Sequence, residues 1–278
     1  MGMPNHLLLV RHGQSVGNVA TKAAAAGDLK FYTDSFMTIP GHQWRLTETG
    51  RAQATAAGAW IRSSVAPRFD RYYVSPFVRT QETAAHLGLP DASWMLNRAL
   101  RERDWGDIGS LPRSEFESRP EYRRNAVMKR HDPLYWRPPG GESIAGVAED
   151  RVRNVLSTLH RECTGQSVVA VSHGELIKAF RLVIERMDDV RFDEIDADDD
   201  EHPKNGEVFH YTRIDPATGI QAARLAWLQR ARPVATDTGW RMEVRPFCAI
   251  PFSHYSNDEL LLQVGLAPPL LDKNEQHM

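Results

Sequence analysis

Short apolar runs, each ended abruptly by polar residues, mark the candidate strands of this chain. Leu7–Val10 is apolar throughout and has the length of a buried strand, and Ser167–Ser172 is a second run, rich in valine. Arg71–Ser75 carries aromatic and β-branched residues, which also predicts a strand. Helices are predicted after these runs, and the residues placed to cap helices include Ser15, Thr47 and Ser143. Strands that alternate with helices indicate an α/β fold with a parallel sheet.

The two most apolar runs end in the same kind of turn. Arg11, His12 and Gly13 follow the first run, and His173 and Gly174 follow the second. A cation or an imidazole at the end of a buried strand costs free energy unless it faces a cleft. The carboxyl ends of parallel strands meet in one crevice, and the helix that follows each turn offers N–H groups to an anion. The pattern therefore predicts an anion-binding site where the two turns meet.

Length and composition narrow the class of protein. The chain has 278 residues, of which 41% are apolar and 25% charged, as in an ordinary globular α/β protein. Its net charge of −2 argues against a general nucleic-acid binder. No apolar run reaches the roughly 18 residues that a membrane span needs, and no secretory signal is recognisable, so we expect no membrane partner. Cys163 and Cys248 fit no metal-ligand spacing and are expected as ordinary thiols in a reducing cytoplasm.

Short motifs along the chain resemble the signatures of one family. RHGQSVGN at 11–18 resembles the RHG signature of the histidine phosphatase superfamily, which includes the cofactor-dependent phosphoglycerate mutases. SPFVRTQET at 75–83, GGES at 140–143 and SHG at 172–174 resemble its later signatures, in the same order, and Asn205–Gly206 is a weaker match. The resemblance implies a three-layer α/β/α fold of the phosphoglycerate mutase type, with a mostly parallel central sheet.

The same resemblance implies the site residues. His12 would be the nucleophile that becomes phosphorylated, and His173 the second catalytic histidine. Glu102 would be the proton donor, because LRERDWG at 100–106 fits the family's frame L-x-E-x-x-x-G. The residues that would bind the phosphoryl group are Arg11, Asn18, Arg79, His173 and Gly174. Alternation in an extended segment would place Asp104 on the same face as Glu102, so both acids stay open, and Asp107 is a weaker candidate.

Other segments lie outside the motifs. The aromatic segment 31–45 is either a flap over the site or, as we prefer, a packed surface loop. A helical insertion is expected at about 110–139, and its basic residues are either a solvated face or contacts to a negative substrate. The acidic run 188–201 is expected as an exposed loop. We expect one catalytic domain over 1–245 and an extension of unknown role over 246–278.

The family's phosphatases and mutases share the phosphohistidine and differ in what accepts the phosphoryl group. The mutases usually carry an aromatic residue just before the asparagine of the first signature, and here that residue is Gly17. The residues after Glu102 also lack the mutase pattern. We therefore predict a phosphatase acting on a small phosphomonoester, with a phosphoglycerate mutase as the alternative and a non-catalytic phosphate-binding module as a third hypothesis. Because side chains supply the cations, no metal or cofactor is expected, and the sequence is compatible with a homodimer.

Overall fold

A single mixed sheet forms the centre of the protein. The computed structural model describes residues 2–109, 111–252 and 254–265. The strands are β1 (His6–Arg11), β2 (Arg71–Val74), β3 (Trp94–Leu96), β4 (Ser167–Ser172), β5 (Val208–Thr212), β6 (Trp227–Thr236), β7 (Gly239–Val244) and β8 (Cys248–Ala249). Their order is β3-β2-β4-β1-β5-β6-β7, with β8 paired to β6. The first four strands in this order are parallel, and the others pair antiparallel.

Helices cover both faces of this sheet. They are α1 (Val16–Ala25), α2 (Asp34–Met37), α3 (Glu48–Trp60), α4 (Val78–Leu87), α5 (Arg113–Ser118), α6 (Pro120–His131), α7 (Ile144–Val147), α8 (Arg153–Glu162), α9 (Gly174–Ile184), α10 (Asp189–Ala197) and α11 (Asn257–Val264). A π turn extends α3, and another joins α7 to α8. The side chains of Ser15, Thr47 and Ser143 cap α1, α3 and α7, as predicted. No helix within the described residues is long and apolar enough to cross a bilayer.

The buried strand β1 divides the core into two layers. Leu7 and Leu9 pack on one face of the sheet with α7, α8 and α9, and Leu8 and Val10 pack on the other face with α3 and α4. All four side chains are fully buried, and each contributes about 1.5–3 kcal/mol relative to exposure. This arrangement confirms the predicted three-layer α/β/α fold. It also explains why β1 is apolar throughout instead of alternating.

The helices α5 and α6 lie in the predicted insertion and form a small core of their own. Phe116, Ala126 and Trp136 are buried together with Ile108. Trp105 packs against this cluster from the segment that follows Glu102. The insertion is therefore tied to the loop that carries the predicted proton donor.

The prediction of an exposed loop over 188–201 is wrong, because α10 occupies most of this run. Asp188 caps the helix, and the side chains of Phe192 and Ile195 are buried beneath it. One of the carboxylates of α10 pairs with Lys178 on α9 at 2.6 Å. The run of acidic residues concealed two apolar positions that are spaced for a helix face. Its later carboxylates, those of Asp196, Asp200 and Glu201, pair with cations on neighbouring elements.

The extension predicted over 246–278 begins with a strand and a helix. Cys248 and Ala249 form β8 on the edge of β6, and both cysteines of the chain are free thiols. A capping box between Ser256 and Glu259 starts α11. Residues 266–278 lie outside the described part of the chain.

The contact between α3 and α4 yields a prediction for stability. A Cβ atom at Gly58 on α3 would lie 1.9 Å from the carbonyl oxygen of Leu87 on α4. Helix propensity favours alanine over glycine by about 1 kcal/mol. Gly58→Ala should nevertheless lower the free energy of unfolding by roughly 1–3 kcal/mol, because the two helices must separate. The exposed neighbour Thr55→Ala should stay within about 0.5 kcal/mol of the wild type. Urea unfolding of both variants checks this, and a stabilised Gly58→Ala would contradict it.

Candidate active site

The parallel pairing of β1 with β4 brings the two predicted histidines together. Arg11 is the register partner of Ser172, so His12 and His173 follow at adjacent strand ends. Their ring centroids lie 5.2 Å apart, at an angle of 64°. Ser75 follows the neighbouring strand β2, and its Oγ lies 2.8 Å from Nε2 of His173. The turns of three parallel strands therefore meet in one crevice, as the sequence pattern predicts for the first and the last of them.

The hydrogen bonds of His12 assign its tautomer. Nδ1 lies 2.7 Å from the carbonyl oxygen of Gly13 and so donates its proton there. Nε2 accepts a hydrogen bond of 3.1 Å from Nε of Arg79 and therefore carries the lone pair. Burial lowers the pKa of His12 well below its usual value, and the charges of Arg79 and Arg11 lower it further. His12 is thus a neutral imidazole whose unprotonated nitrogen lies next to a cation.

The two predicted arginines are held by backbone carbonyl groups. Nη1 of Arg11 donates to the carbonyl oxygen of Pro203, and Nη1 of Arg79 donates to that of Gly41 at 2.8 Å. Among the described residues, neither guanidinium forms an ion pair with a carboxylate. Burial lowers the pKa of Arg79 to about 10, so the group remains a cation at neutral pH. The crevice thus carries positive charge without a direct counter-charge, which favours an anion.

Two buried nitrogen atoms at the ends of β1 and β4 lack a hydrogen-bond partner within the described chain. They are Nε of Arg11 and Nδ1 of His173. An unpartnered buried polar group costs about 1–3 kcal/mol. An anion bound in the crevice offers oxygen acceptors that can satisfy such groups. His173 itself is fully buried beside His12.

Asn18 lies at the edge of the crevice with a fixed orientation. Its Oδ1 accepts hydrogen bonds of 3.0 Å from the backbone N–H of Ser15 and from Nδ2 of Asn205. Because two N–H groups engage the oxygen, the amide NH₂ group remains as the donor that Asn18 can offer. Asn205 also donates to the carbonyl oxygen of His12 at 3.1 Å. The weak sequence match at Asn205 therefore marks a residue that positions two others.

A cavity of about 470 Å³ collects most of the predicted residues. Its lining includes Arg11, His12, Asn18, Arg79, Glu102 and Gly174. His173 lies next to this cavity, with its ring in contact with that of His12. A second cavity of about 500 Å³ adjoins the first, and Arg79, Glu102, Trp44 and Trp105 line both. The structure thus assembles the candidate site from β1, α1, α4, α9 and the loop after β3.

The structure separates the two candidate acids. Glu102 lines both cavities and is half-buried, whereas Asp104 is exposed and lines the outer cavity alone. One oxygen of Asp104 accepts a hydrogen bond of 2.8 Å from the backbone N–H of Gly106, which fixes it within its own loop. Burial raises the pKa of Glu102, and the carboxylate of Glu175 raises it further. Of these two acids, Glu102 is therefore the one that lines the same cavity as His12.

The aromatic segment 31–45 contributes one wall of the site. Phe36 and Trp44 stack with centroids 5.1 Å apart, and both line the outer cavity. A Cβ atom at Gly17 would lie 2.1 Å from the ring of Trp44, so glycine at 17 makes room for this ring. The segment is largely exposed, as the preferred surface loop would be, and part of it also lines the cavities. The many aromatic residues of this segment are the sequence feature that indicates such a wall.

Charged residues that the motifs do not include line the far end of the cavity. Glu175 and Lys178, both on α9, pair at 3.4 Å, and Lys178 also pairs with Asp196. Arg103 is buried and donates to Glu175 at 3.2 Å. Sequence reasoning missed this cluster because its members come from three separate segments. Their one local signal is the i, i+3 spacing of Glu175 and Lys178.

Comparison with known proteins agrees with this geometry. The family model of the histidine phosphatase superfamily (branch 1) matches residues 7–202. A 2,3-bisphosphoglycerate-dependent phosphoglycerate mutase from Methylobacterium radiotolerans is 32% identical over 192 residues, which cover 66% of this chain and 80% of that protein. The phosphoglycerate mutase-like protein AT74 of Arabidopsis thaliana is 26% identical over 293 residues, covering 92% and 84%. The chain belongs to the histidine phosphatase superfamily, as its motifs predicted.

Solved structures show the same fold. A mycobacterial glucosyl-3-phosphoglycerate phosphatase superposes with a TM-score of 0.57 at 21% identity, covering 86% of this chain and 96% of that one. A phosphoserine phosphatase from Entamoeba histolytica, solved with 3-phosphoglyceric acid, gives a TM-score of 0.55 at 21% identity, covering 75% and 90%. Within the superfamily the chain is thus similar in sequence to mutases and in fold to phosphatases.

The buried neutral state of His12 predicts how stability depends on pH. The pKa of His12 is lowered in the folded state, so below its ordinary value of 6.5 the unfolded chain binds more protons. This group therefore makes the free energy of unfolding fall as the pH decreases below 6.5, by at most about 1.4 kcal/mol per pH unit. His12→Gln removes this dependence, so its stability should vary less between pH 7 and 5 than that of the wild type. Urea unfolding at several pH values measures the difference, and parallel curves would contradict the buried neutral state.

Proposed function

We propose that this protein hydrolyses a small phosphomonoester through a phosphohistidine on His12. The observation that carries the proposal is the neutral Nε2 of His12, which lies 3.1 Å from a cation in a cavity that also holds Glu102. A phosphate monoester resists attack because its oxygen atoms are negative and its leaving group is an alkoxide. The charges of Arg11 and Arg79 would stabilise the negative oxygen atoms. A protonated Glu102 would give its proton to the leaving alkoxide.

The reaction has two steps in this site. Nε2 of His12 attacks phosphorus, the bond to the leaving oxygen breaks, and Glu102 gives its proton to that oxygen. Water then attacks the phosphohistidine, the P–N bond breaks, and the carboxylate of Glu102 accepts the proton of the water. Asn18, Gly174 and Nδ1 of His173 are the further donors for the phosphoryl oxygens. Burial raises the pKa of Glu102, which favours the protonated form that the first step needs.

The charges beyond the phosphoryl-binding residues favour a phosphatase. Lys178 is paired with Glu175 and Asp196, and Arg103 with Glu175. Lys129 lies 5.0 Å over the ring of Trp105 and is one of the cations near Glu175. A second anionic group on the substrate would lie close to the charges of Glu175 and Asp196, which repel it. The leaving group that fits best is therefore uncharged.

Phosphoglycerate mutase activity is the second candidate function. The relative from Methylobacterium radiotolerans, 32% identical over 192 residues, is such a mutase, and this similarity favours the alternative. A mutase acts on substrates that carry a carboxylate and more than one phosphorylation site. It would have to bind them against the paired cations described above.

Phosphate release from a panel of phosphomonoesters tests the proposal. The wild type should release phosphate from esters of uncharged alcohols, with or without EDTA, and should form an acid-labile phosphoryl-enzyme. His12→Ala should lose at least about 10³-fold in rate, because it lacks the nucleophile. His160→Ala, at an exposed position on α8, is the matched control and should keep its activity.

Two other outcomes would overturn it. Interconversion of phosphoglycerates, primed by bisphosphoglycerate and without net phosphate release, would establish the mutase. A wild type that binds phosphate without turning over any ester or phosphoglycerate would favour the non-catalytic module.

A further inference from the structure

A carboxylate that the proposed reaction does not use lies in the same cavity as Glu102. Glu175 is the second residue of α9 and follows His173 by two positions. It lines the cavity together with His12 and Glu102, and its side chain is 22% exposed. A negative charge in a cavity that binds a phosphate dianion repels the ligand. Glu175 therefore weakens the binding of a phosphate dianion, and its presence in this cavity suggests that it has another role.

The surroundings of Glu175 fix its position and its charge. Nη1 of Arg103 lies 3.2 Å from one carboxylate oxygen, and Nζ of Lys178 lies 3.4 Å from the other. Burial alone would raise the pKa of Glu175, but the charges of Lys178 and Arg103 lower it to about 2. Glu175 is therefore ionised at every pH at which the protein is expected to work.

Arg103 connects this carboxylate to the predicted proton donor. Its backbone N–H donates to Oε1 of Glu102 at 2.9 Å, while its side chain holds Glu175. The guanidinium is 3% exposed and also donates to the carbonyl oxygens of Trp136 and Glu142. The two carboxyl groups are thus set relative to each other by one rigidly anchored residue.

Charges from several elements act on Glu102. Arg11 on β1, Arg79 on α4 and Arg151 in the turn before α8 favour its ionised form. Glu175 on α9 opposes them, together with burial. Two neighbouring carboxyl groups cannot both ionise readily, and here Glu175 has the nearer cations. When a phosphoryl group binds, it offsets the charges of Arg11 and Arg79, and the effect of Glu175 on Glu102 grows.

We propose that Glu175 is a positioning residue for proton transfer, whose permanent negative charge keeps Glu102 protonated until the leaving oxygen takes the proton. The proposal rests on the proposed function, in which Glu102 is the general acid. It assigns the cluster of Glu175, Arg103 and Lys178 a task in the reaction besides holding α9 to the loop after β3. It also accounts for a carboxylate beside a phosphate-binding site.

The test is the pH dependence of kcat/KM for Glu175→Gln with an alkyl phosphate. The variant keeps the shape of the side chain and loses its charge. The ratio of kcat/KM for Glu175→Gln to that of the wild type should be near one at low pH and should fall as the pH rises. The reason is that the alkaline limb of the variant's pH profile moves to lower pH by roughly one unit. At pH values above the alkaline limb, kcat/KM of Glu175→Gln should be about tenfold lower than that of the wild type. Taking the ratio at each pH cancels the ionisation of the substrate.

The leaving group provides a second readout. An aryl phosphate with an acidic phenol needs little protonation of the leaving oxygen. Glu175→Gln should therefore lose much less activity on the aryl ester than on the alkyl ester. A merely structural disturbance of the cavity would reduce both to the same extent.

Two further variants give opposite controls. Glu175→Asp keeps the charge and should retain most of the wild-type pH profile. Lys178→Met removes a cation that faces Glu175, so its alkaline limb should move to higher pH. Circular dichroism and urea unfolding establish that each variant is folded before its profile is measured.

The outcomes separate this inference from the proposed function. A pH-independent ratio for Glu175→Gln, equal for alkyl and aryl esters, would overturn the role of Glu175. Glu102→Gln tests the general acid itself and should lose activity on alkyl esters far more than on aryl esters. If Glu102→Gln hydrolyses alkyl esters like the wild type, the proposed mechanism fails, whatever the result for Glu175.

Discussion

Positive charge without a direct counter-charge is the constraint on which this site depends. Arg79 is buried and Arg11 half-buried, and carbonyl oxygens rather than carboxylates hold both guanidinium groups. Their field adds to the effect of burial and keeps His12 and His173 neutral. A neutral imidazole with a fixed tautomer is the form that can attack phosphorus. In the proposed reaction the same two arginines would attract the anion and keep the attacking imidazole neutral, and a carboxylate paired to either would weaken both effects.

In the part of the cavity away from these arginines, cationic and anionic side chains pair with each other. Lys178, Arg103 and Glu175 form ion pairs, and they link α9 to the loop that carries Glu102. One region of the cavity therefore carries positive charge that favours an anion. In the other region the cations already form ion pairs with carboxylates. This division agrees with a substrate that carries one phosphoryl group and an uncharged remainder. It also places the control of proton transfer in the balanced region, away from the phosphoryl oxygens.

The sequence was most informative where a local pattern determines the structure. Two apolar strands ending in charged turns predicted a crevice, and the parallel register of β1 and β4 places His12 beside His173. The helix caps follow from similar local rules, whereas the three layers were implied by the resemblance to the family. The choice between Glu102 and Asp104 could not be made from alternation, because it depends on a turn that folds Asp104 back onto Gly106. The charges of α10 hid its apolar face, and the partners of Glu175 lie in other segments, so neither was visible in a local pattern.

The contact of Gly17 with Trp44 weakens the argument that glycine at position 17 favours a phosphatase over a mutase. The absence of an aromatic residue at position 17 distinguishes this chain from the mutase pattern. In the structure, however, the ring of Trp44 fills the space into which a side chain at 17 would extend. An aromatic wall is therefore present at this place, supplied by a different part of the chain. Gly17 alone does not separate a phosphatase from a mutase, and the distinction must rest on the charges. Lys178 and Arg103 already pair with carboxylates, so a second anionic group on a substrate would lie close to the charge of Glu175.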